Sequence, residues 1–142
     1  MRSIERHMSR VIVGKLVPDE DLIDGITEIV IKHDINAGHV NVIGALKKFT
    51  LGFFNIEKNE YDFTTFEENV ELISCMGNIA HINTGPIIHL HVAVGRADYS
   101  ILAGHLSQPS IISITGEVYI HEIDEKLERA VDPQFGLSLL DL

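Results

Sequence analysis

Between residues 111 and 121 apolar and polar side chains alternate with a period of two. Ile112, Ile114, Val118 and Ile120 fall on one face, and Ser113, Thr115, Glu117, Tyr119 and His121 on the other. Successive side chains of a strand leave opposite sides of a sheet, so this pattern predicts an extended segment with one face against a core. Other segments share the preference. Residues 8–16 are β-branched and end at Val17-Pro18, where proline lacks an N–H for a ladder. Residues 39–54 carry Val40, Val42, Ile43, Phe49, Leu51, Phe53 and Phe54 and predict a long strand bent or bulged at Gly44 and Gly52. Residues 59–68 predict an exposed connection or edge strand, and residues 69–79 a strand ending in a turn at Gly77-Asn78. Residues 87–94 and 99–106 predict a hairpin around Gly95-Arg96-Ala97-Asp98, and the last stretch, 125–142, a polar excursion followed by a terminal strand.

One segment has a different period. From Asp19 to His33, Leu22, Ile23, Ile26, Ile29 and Val30 form one stripe of an amphipathic helix. Asp19, Glu20 and Asp21 suit its start through the helix dipole, and Asn36 and Gly38 suit its exit. One long helix among many strands, without βα alternation, predicts an α+β fold with a mainly antiparallel sheet and that helix packed on it. The length of 142 residues fits a single domain spanning 1–142, with residues 1–7 as a mobile terminus.

The chemistry concentrates in Pro86-Ile-Ile-His-Leu-His-Val-Ala-Val94. His89 and His91 are two residues apart, so both side chains leave one face of a strand about 6.6 Å apart along the chain. The opposite face, Ile88, Leu90, Val92 and Val94, is apolar and offers a rigid backing. A hairpin turn centred between Arg96 and Ala97 places His105 beside positions 88 and 89, and Ala103 and Gly104 leave room next to it. Three neutral imidazoles suit a divalent metal, zinc first, with nickel, iron or copper as substitutes and a fourth position for water or a substrate atom.

The other candidates carry less. His7 lies near the terminus, His33 at a helix end, His39 and His81 at the surface, and His121 on the polar face of its strand. Glu71, inside the apolar run Val70-Glu-Leu-Ile73, reads first as a solvated edge position; its other reading is a second-layer group that orients a ligand imidazole or acts as a base. Cys75, the only cysteine, has no activating neighbours in sequence, reads as a small buried hydrophobe, and leaves no intrachain disulfide to form. No apolar signal segment opens the chain and no apolar run approaches the roughly 20 residues that span a bilayer, so the expectation is a cytoplasmic protein without a membrane partner. Eleven Lys plus Arg against twenty-one Asp plus Glu give a net charge of −10, which disfavours direct nucleic-acid binding; Lys47-Lys48 is the only adjacent basic pair.

The order GHVNVIGALKKFTLGFFN, ELISCMGNIA, GPIIHLHVAV, AGHL and then an ITGEVYI strand resembles the plants-and-prokaryotes-conserved (PPC) domain, from about Arg10 to Leu142. The HxH strand and the GHL that follows carry the likeness most specifically, and His89, His91 and His105 match the family's histidines one by one. Ala103 stands where the family pattern has the first of two glycines. The resemblance, to the stand-alone prokaryotic type, implies an α+β fold, a homotrimer with the histidines near subunit boundaries, and a bound metal in some prokaryotic members. Plant members join the domain to Arg-Gly-Arg hooks that enter the DNA minor groove, and this sequence contains no Arg-Gly-Arg segment. Three functions follow as expectations: a homotrimeric metal-binding module with a small-molecule or protein ligand, a metal-dependent enzyme using the open position, and a DNA-associated regulator.

Overall fold

A computed structural model of the chain describes residues 2–142. Eight strands and one helix follow in order: β1 (Met8–Leu16), α1 (Leu22–Lys32), β2 (Gly38–Asn55), β3 (Glu60–Phe66), β4 (Val70–Ile82), β5 (Gly85–Gly95), β6 (Ile101–Ile123), β7 (Glu128–Val131) and β8 (Ser138–Asp141). The strands form one sheet in the order β3-β2-β6-β5-β4-β7-β8, with β1 on β6 and a further β2–β4 pairing. That pairing makes the path β2-β6-β5-β4 return to β2, so the central strands form a ring without open edges. β2 manages this by changing partners: Gly38 to Leu46 face β4, and from Phe49 onward the same edge is taken by β3. The core fills the ring, with Phe49, Leu46, Leu72, Ile79, Leu90, Ile112 and Ile120 fully buried. Among the described residues no helix is long and apolar enough to cross a membrane.

The expected α+β class, with one long helix on a mainly antiparallel sheet, is corrected by this arrangement. The fold is predominantly β: a single 11-residue helix stands against strands of up to 23 residues, and the sheet is mixed, because His81 of β4 pairs in parallel with Glu128 of β7. The helix begins at Leu22 and not at Asp19 because residues 19–21 bond to β6 instead. Asp19 N donates to Ile112 O, Ile112 N donates to Glu20 O, and Asp19 has a left-handed φ of 76° that no helix accommodates. Asp21 then caps α1, accepting from the amides of Ile23 and Asp24 at 2.9 and 3.3 Å, while its other carboxylate oxygen accepts from Ser110 N at 2.7 Å. Leu22, Ile26 and Val30 are the buried stripe. Because one side chain both caps the helix and ties it to β6, Asp21→Ala is expected to lower unfolding stability by about 2 kcal/mol, the upper end for a lost cap, measured by urea titration.

Two predicted strands, 99–106 and 111–121, are one continuous β6. Its alternation breaks once. β2 and β6 pair at Gly44 with Gly116 and next at Leu46 with Ile112, so three residues of β6 stand opposite Ala45 alone. This bulge turns Ile114 outward, 69% exposed, against the buried position that period two assigns it. Gly77-Asn78 is likewise no turn: both lie inside β4, opposite Leu90 and His89. The terminal stretch forms the β7–β8 hairpin.

Candidate metal centre

β5 sits between β4 and β6. Leu90, Val92 and Val94 point into the ring and are buried, which forces His89 and His91 out on the other face. His91 pairs directly with His105 of β6, three positions from the register that a turn centred at Arg96-Ala97 predicts. The connection is longer than that turn: Arg96 N donates to Ser100 O, Tyr99 N donates to Arg96 O, and Tyr99 takes a left-handed φ of 65°. The slipped register still unites the three rings, since His105 now lies beside His91 on the same face. Ring centroids are 5.1 Å apart for His89–His91, 5.2 Å for His89–His105 and 5.5 Å for His91–His105. One nitrogen from each ring lies within 4.8 Å of the others.

The donor set fits a divalent ion. Around a tetrahedral zinc at about 2.0–2.1 Å, nitrogens stand roughly 3.4 Å apart, within reach of small side-chain rotations from these positions. His105 also has a buried Nδ1 with no hydrogen-bond partner, a lone pair or N–H left idle at real cost unless something occupies the site. The strands hold the rings closely. A Cβ on Gly77 would stand 1.7 Å from the carbonyl oxygen of His89, so the absence of a side chain there lets β4 approach β5.

Sequence reasoning passed over three contributors. Arg129 of β7 reaches the cluster: its Nη2 donates to Asn78 Oδ1 at 2.7 Å and lies 3.2 Å from His89 Nδ1, while Nη1 donates to the Ser138 carbonyl at 2.7 Å. Asn78 is His89's neighbour on β4, and the Tyr61 ring of β3 lies 4.9 Å from that of His105. An isolated arginine in a polar tail carries no signal of this, because the parallel β4–β7 contact that delivers it leaves no periodic trace. Glu71 is not brought to the cluster. It pairs with Gly95 at the far end of β4, five residues or about 17 Å from the Met76–His91 pair, and lines a separate cavity of about 720 Å³ with Ile73, Tyr99 and Ile101. His81 lies apart as well, its Nε2 3.3 Å from the Ile35 carbonyl. Cys75 is buried, which pushes its thiol up to about 12 and leaves no thiolate to react.

Burial, then the positive charge of Arg129, then the other two histidines push His89 down to about 4. Burial, His91 and Arg129 also lower His105. Both rings are thus held neutral at pH 7, the form that ligates. In the unfolded chain these histidines take up protons near pH 6.5, whereas folded His89 refuses one until about pH 4. The unfolded state binds more protons between those values, so the metal-free protein loses stability as pH falls from about 6.5 to 4. Urea midpoints in chelator at pH 7 and 4.5 measure the loss, and His89→Ala is expected to flatten its histidine component while the carboxylate part remains.

The family model of the Plants and Prokaryotes Conserved (PCC) domain matches residues 4–124. The chain belongs to the PCC-domain family. Solved relatives share the fold over nearly the whole chain. A metal-containing protein from Archaeoglobus fulgidus is 30% identical with a TM-score of 0.91, the alignment covering 100% of both chains. A plant- and prokaryote-conserved protein from Pyrococcus horikoshii is 29% identical at 0.90, covering 100% of this chain and 98% of that one. A candidate DNA-binding protein from Bacteroides thetaiotaomicron is 32% identical at 0.88, covering 96% of each. No curated protein matches the chain. The PCC match stops short of Arg129, so the guanidinium beside His89 comes from outside the matched segment. The Bacteroides relative's description runs against the expectation, drawn from the net charge of −10 and the missing Arg-Gly-Arg segment, that direct nucleic-acid binding by this chain is disfavoured.

Proposed function

We propose that this PCC-domain chain is a homotrimeric metal-binding protein, with His89, His91 and His105 as the ligands of one divalent ion per chain, zinc by preference, and a role in binding a small molecule or a partner protein. The convergence of three histidine nitrogens within 4.8 Å of one another, on strands locked by the core, carries this reading. The metal-containing relative from Archaeoglobus fulgidus supports it. When bound, an ion on three neutral imidazoles supplies a Lewis-acidic centre with an open position. The chain's own contribution is to hold two of the rings unprotonated at neutral pH and to back the ligand strand with Leu90 and Val92.

Self-association has its own support. Val13, Ile43, Ile73, Ile114 and Tyr119 are all exposed, and neighbouring surface depressions share Ile73 and Ile114, so the apolar surface is contiguous. Elemental analysis combined with light scattering tests both parts. Near-stoichiometric zinc on a trimer is expected from protein purified without added metal; a metal-free monomer would refute the proposal.

A second reading, DNA association, is favoured by the description of the Bacteroides thetaiotaomicron relative. The net charge of −10 opposes direct contact with phosphates. A mobility-shift assay at physiological salt separates them, and retardation at micromolar protein would favour the DNA reading.

A further inference from the structure

Arg129 enters the metal centre without an acidic partner. Its Nη2 is engaged by Asn78 Oδ1 and His89 Nδ1 and one Nη1 hydrogen by the Ser138 carbonyl, but its Nε is buried with nothing to donate to. It takes part in none of the ion pairs among the described residues, in a chain whose twenty-one acidic side chains outnumber its eleven Lys and Arg. A guanidinium stays charged at any physiological pH, and a half-buried one is unfavourable unless a counter-charge accompanies it. Tying the β7–β8 hairpin to β4 uses only part of its five donors, so that structural role leaves the charge and the Nε–H unanswered.

Three neutral imidazoles bring no negative charge, and no carboxylate joins the cluster among the described residues. A divalent ion on those rings would therefore stand close to a second positive group, with nothing anionic between them. The missing component is an anion. Beside His89, His105 and Arg129 lies a depression of about 270 Å³ walled by Ile88, Leu137, Leu139 and the Tyr61 ring. It is smaller than the roughly 300–1,000 Å³ of sites for drug-sized ligands, and its walls are mainly apolar.

We propose that the centre binds a small organic carboxylate, its anionic end between the Arg129 guanidinium and the ion's open position and its apolar body against Ile88, Leu137 and Leu139. With both Nη2 hydrogens and one Nη1 hydrogen engaged, the second Nη1 hydrogen is left to give a carboxylate one charge-assisted hydrogen bond. Inorganic phosphate would answer the charge and leave the apolar wall without a contact. This inference rests on the metal reading above for its charge count, and the experiment separates the two.

Wild-type protein loaded with cobalt(II) is titrated with isobutyrate, acetate and inorganic phosphate, read by calorimetry and by the visible cobalt bands. Isobutyrate is expected to bind one per chain, more tightly than acetate or phosphate, and to shift the bands. Arg129→Gln is expected to retain its cobalt and lose about tenfold or more in isobutyrate affinity, the size of one charge-assisted hydrogen bond. Leu139→Ser, which leaves every charged group in place, is expected to narrow the advantage of isobutyrate over acetate, and it decides the apolar contact should the arginine variant fail to fold. Failure of wild-type protein to load cobalt would overturn the metal reading. Cobalt loading with no response to millimolar isobutyrate would overturn the carboxylate proposal alone, as would phosphate binding as tightly as isobutyrate.

Discussion

His91→Ala is expected to remove stoichiometric zinc from the purified protein while leaving the metal-free fold almost untouched. His91 is the exposed member of the trio, so its truncation opens no cavity, whereas His89 and His105 are half-buried and contact Arg129 and Tyr61. Apparent zinc-binding free energies of about 10–16 kcal/mol shared among four ligands give roughly 3 kcal/mol for each, so affinity should fall about a hundredfold or more. The stabilisation that metal gives the fold follows the ratio of free zinc to Kd: about 4 kcal/mol at a thousandfold excess shrinks to about 1.4 kcal/mol at tenfold. Denaturation of wild type and variant, each with buffered zinc and with chelator, measures both quantities. Equal zinc-induced shifts in the two proteins would mean that the ion binds elsewhere.

Gly77→Ala is expected to be among the most damaging small substitutions in the described residues, alongside Gly44→Ala. The added methyl carbon would lie 1.7 Å from the carbonyl oxygen of His89 and 2.8 Å from its carbonyl carbon, and both are backbone atoms that cannot rotate away. β4 and β5 must separate there, breaking ladder hydrogen bonds and displacing His89 and its neighbour Asn78 together. A stability loss of about 3 kcal/mol or more is expected, beyond ordinary overpacking because the clash is with main chain. Gly104→Ala is the control: its Cβ would meet the Gly52 carbonyl at 3.1 Å, a distance that a few tenths of an ångström relieve. Thermal unfolding of both variants in chelator ranks them without interference from metal, and a Gly77 variant as stable as the Gly104 variant would show that β4 can shift freely.

The contrast between these glycines illustrates what a single sequence conveys. Local periodicity was readable: β1 spans residues 8–16 as predicted, the Leu22-Ile26-Val30 stripe forms a helix, and the apolar back of the HxH strand is buried. The three histidines were legible as a set because two share a strand and the third follows on the next one. What depends on partner strands was not. Gly77 reads as a turn residue until the carbonyl of His89 is seen above it, and Ile114 reads as core until three residues of β6 are found facing one of β2. The hairpin register depended on a five-residue connection with Tyr99 in a left-handed conformation, rare for a bulky aromatic and therefore not anticipated. Glu71 stands out in its apolar run yet faces away at the far end of β4. Arg129 is the opposite case, unremarkable in sequence and adjacent to His89 in space.

The closed strand ring has a kinetic consequence. β1 pairs with the last residues of β6, Met8 opposite Ile123, and the amide of His7 donates to Asp124 across 117 positions. β2 likewise waits for β6 across more than half the chain. Such high contact order places folding in the millisecond-to-second range, because chain-closure entropy must be met before the non-local pairs reward it. During that interval β1 and the β6-facing edge of β2 have no partner, and a ribosome-bound chain still lacking β6 cannot protect them. Yield of soluble protein is therefore expected to respond to synthesis rate and temperature more strongly than equilibrium stability alone would suggest.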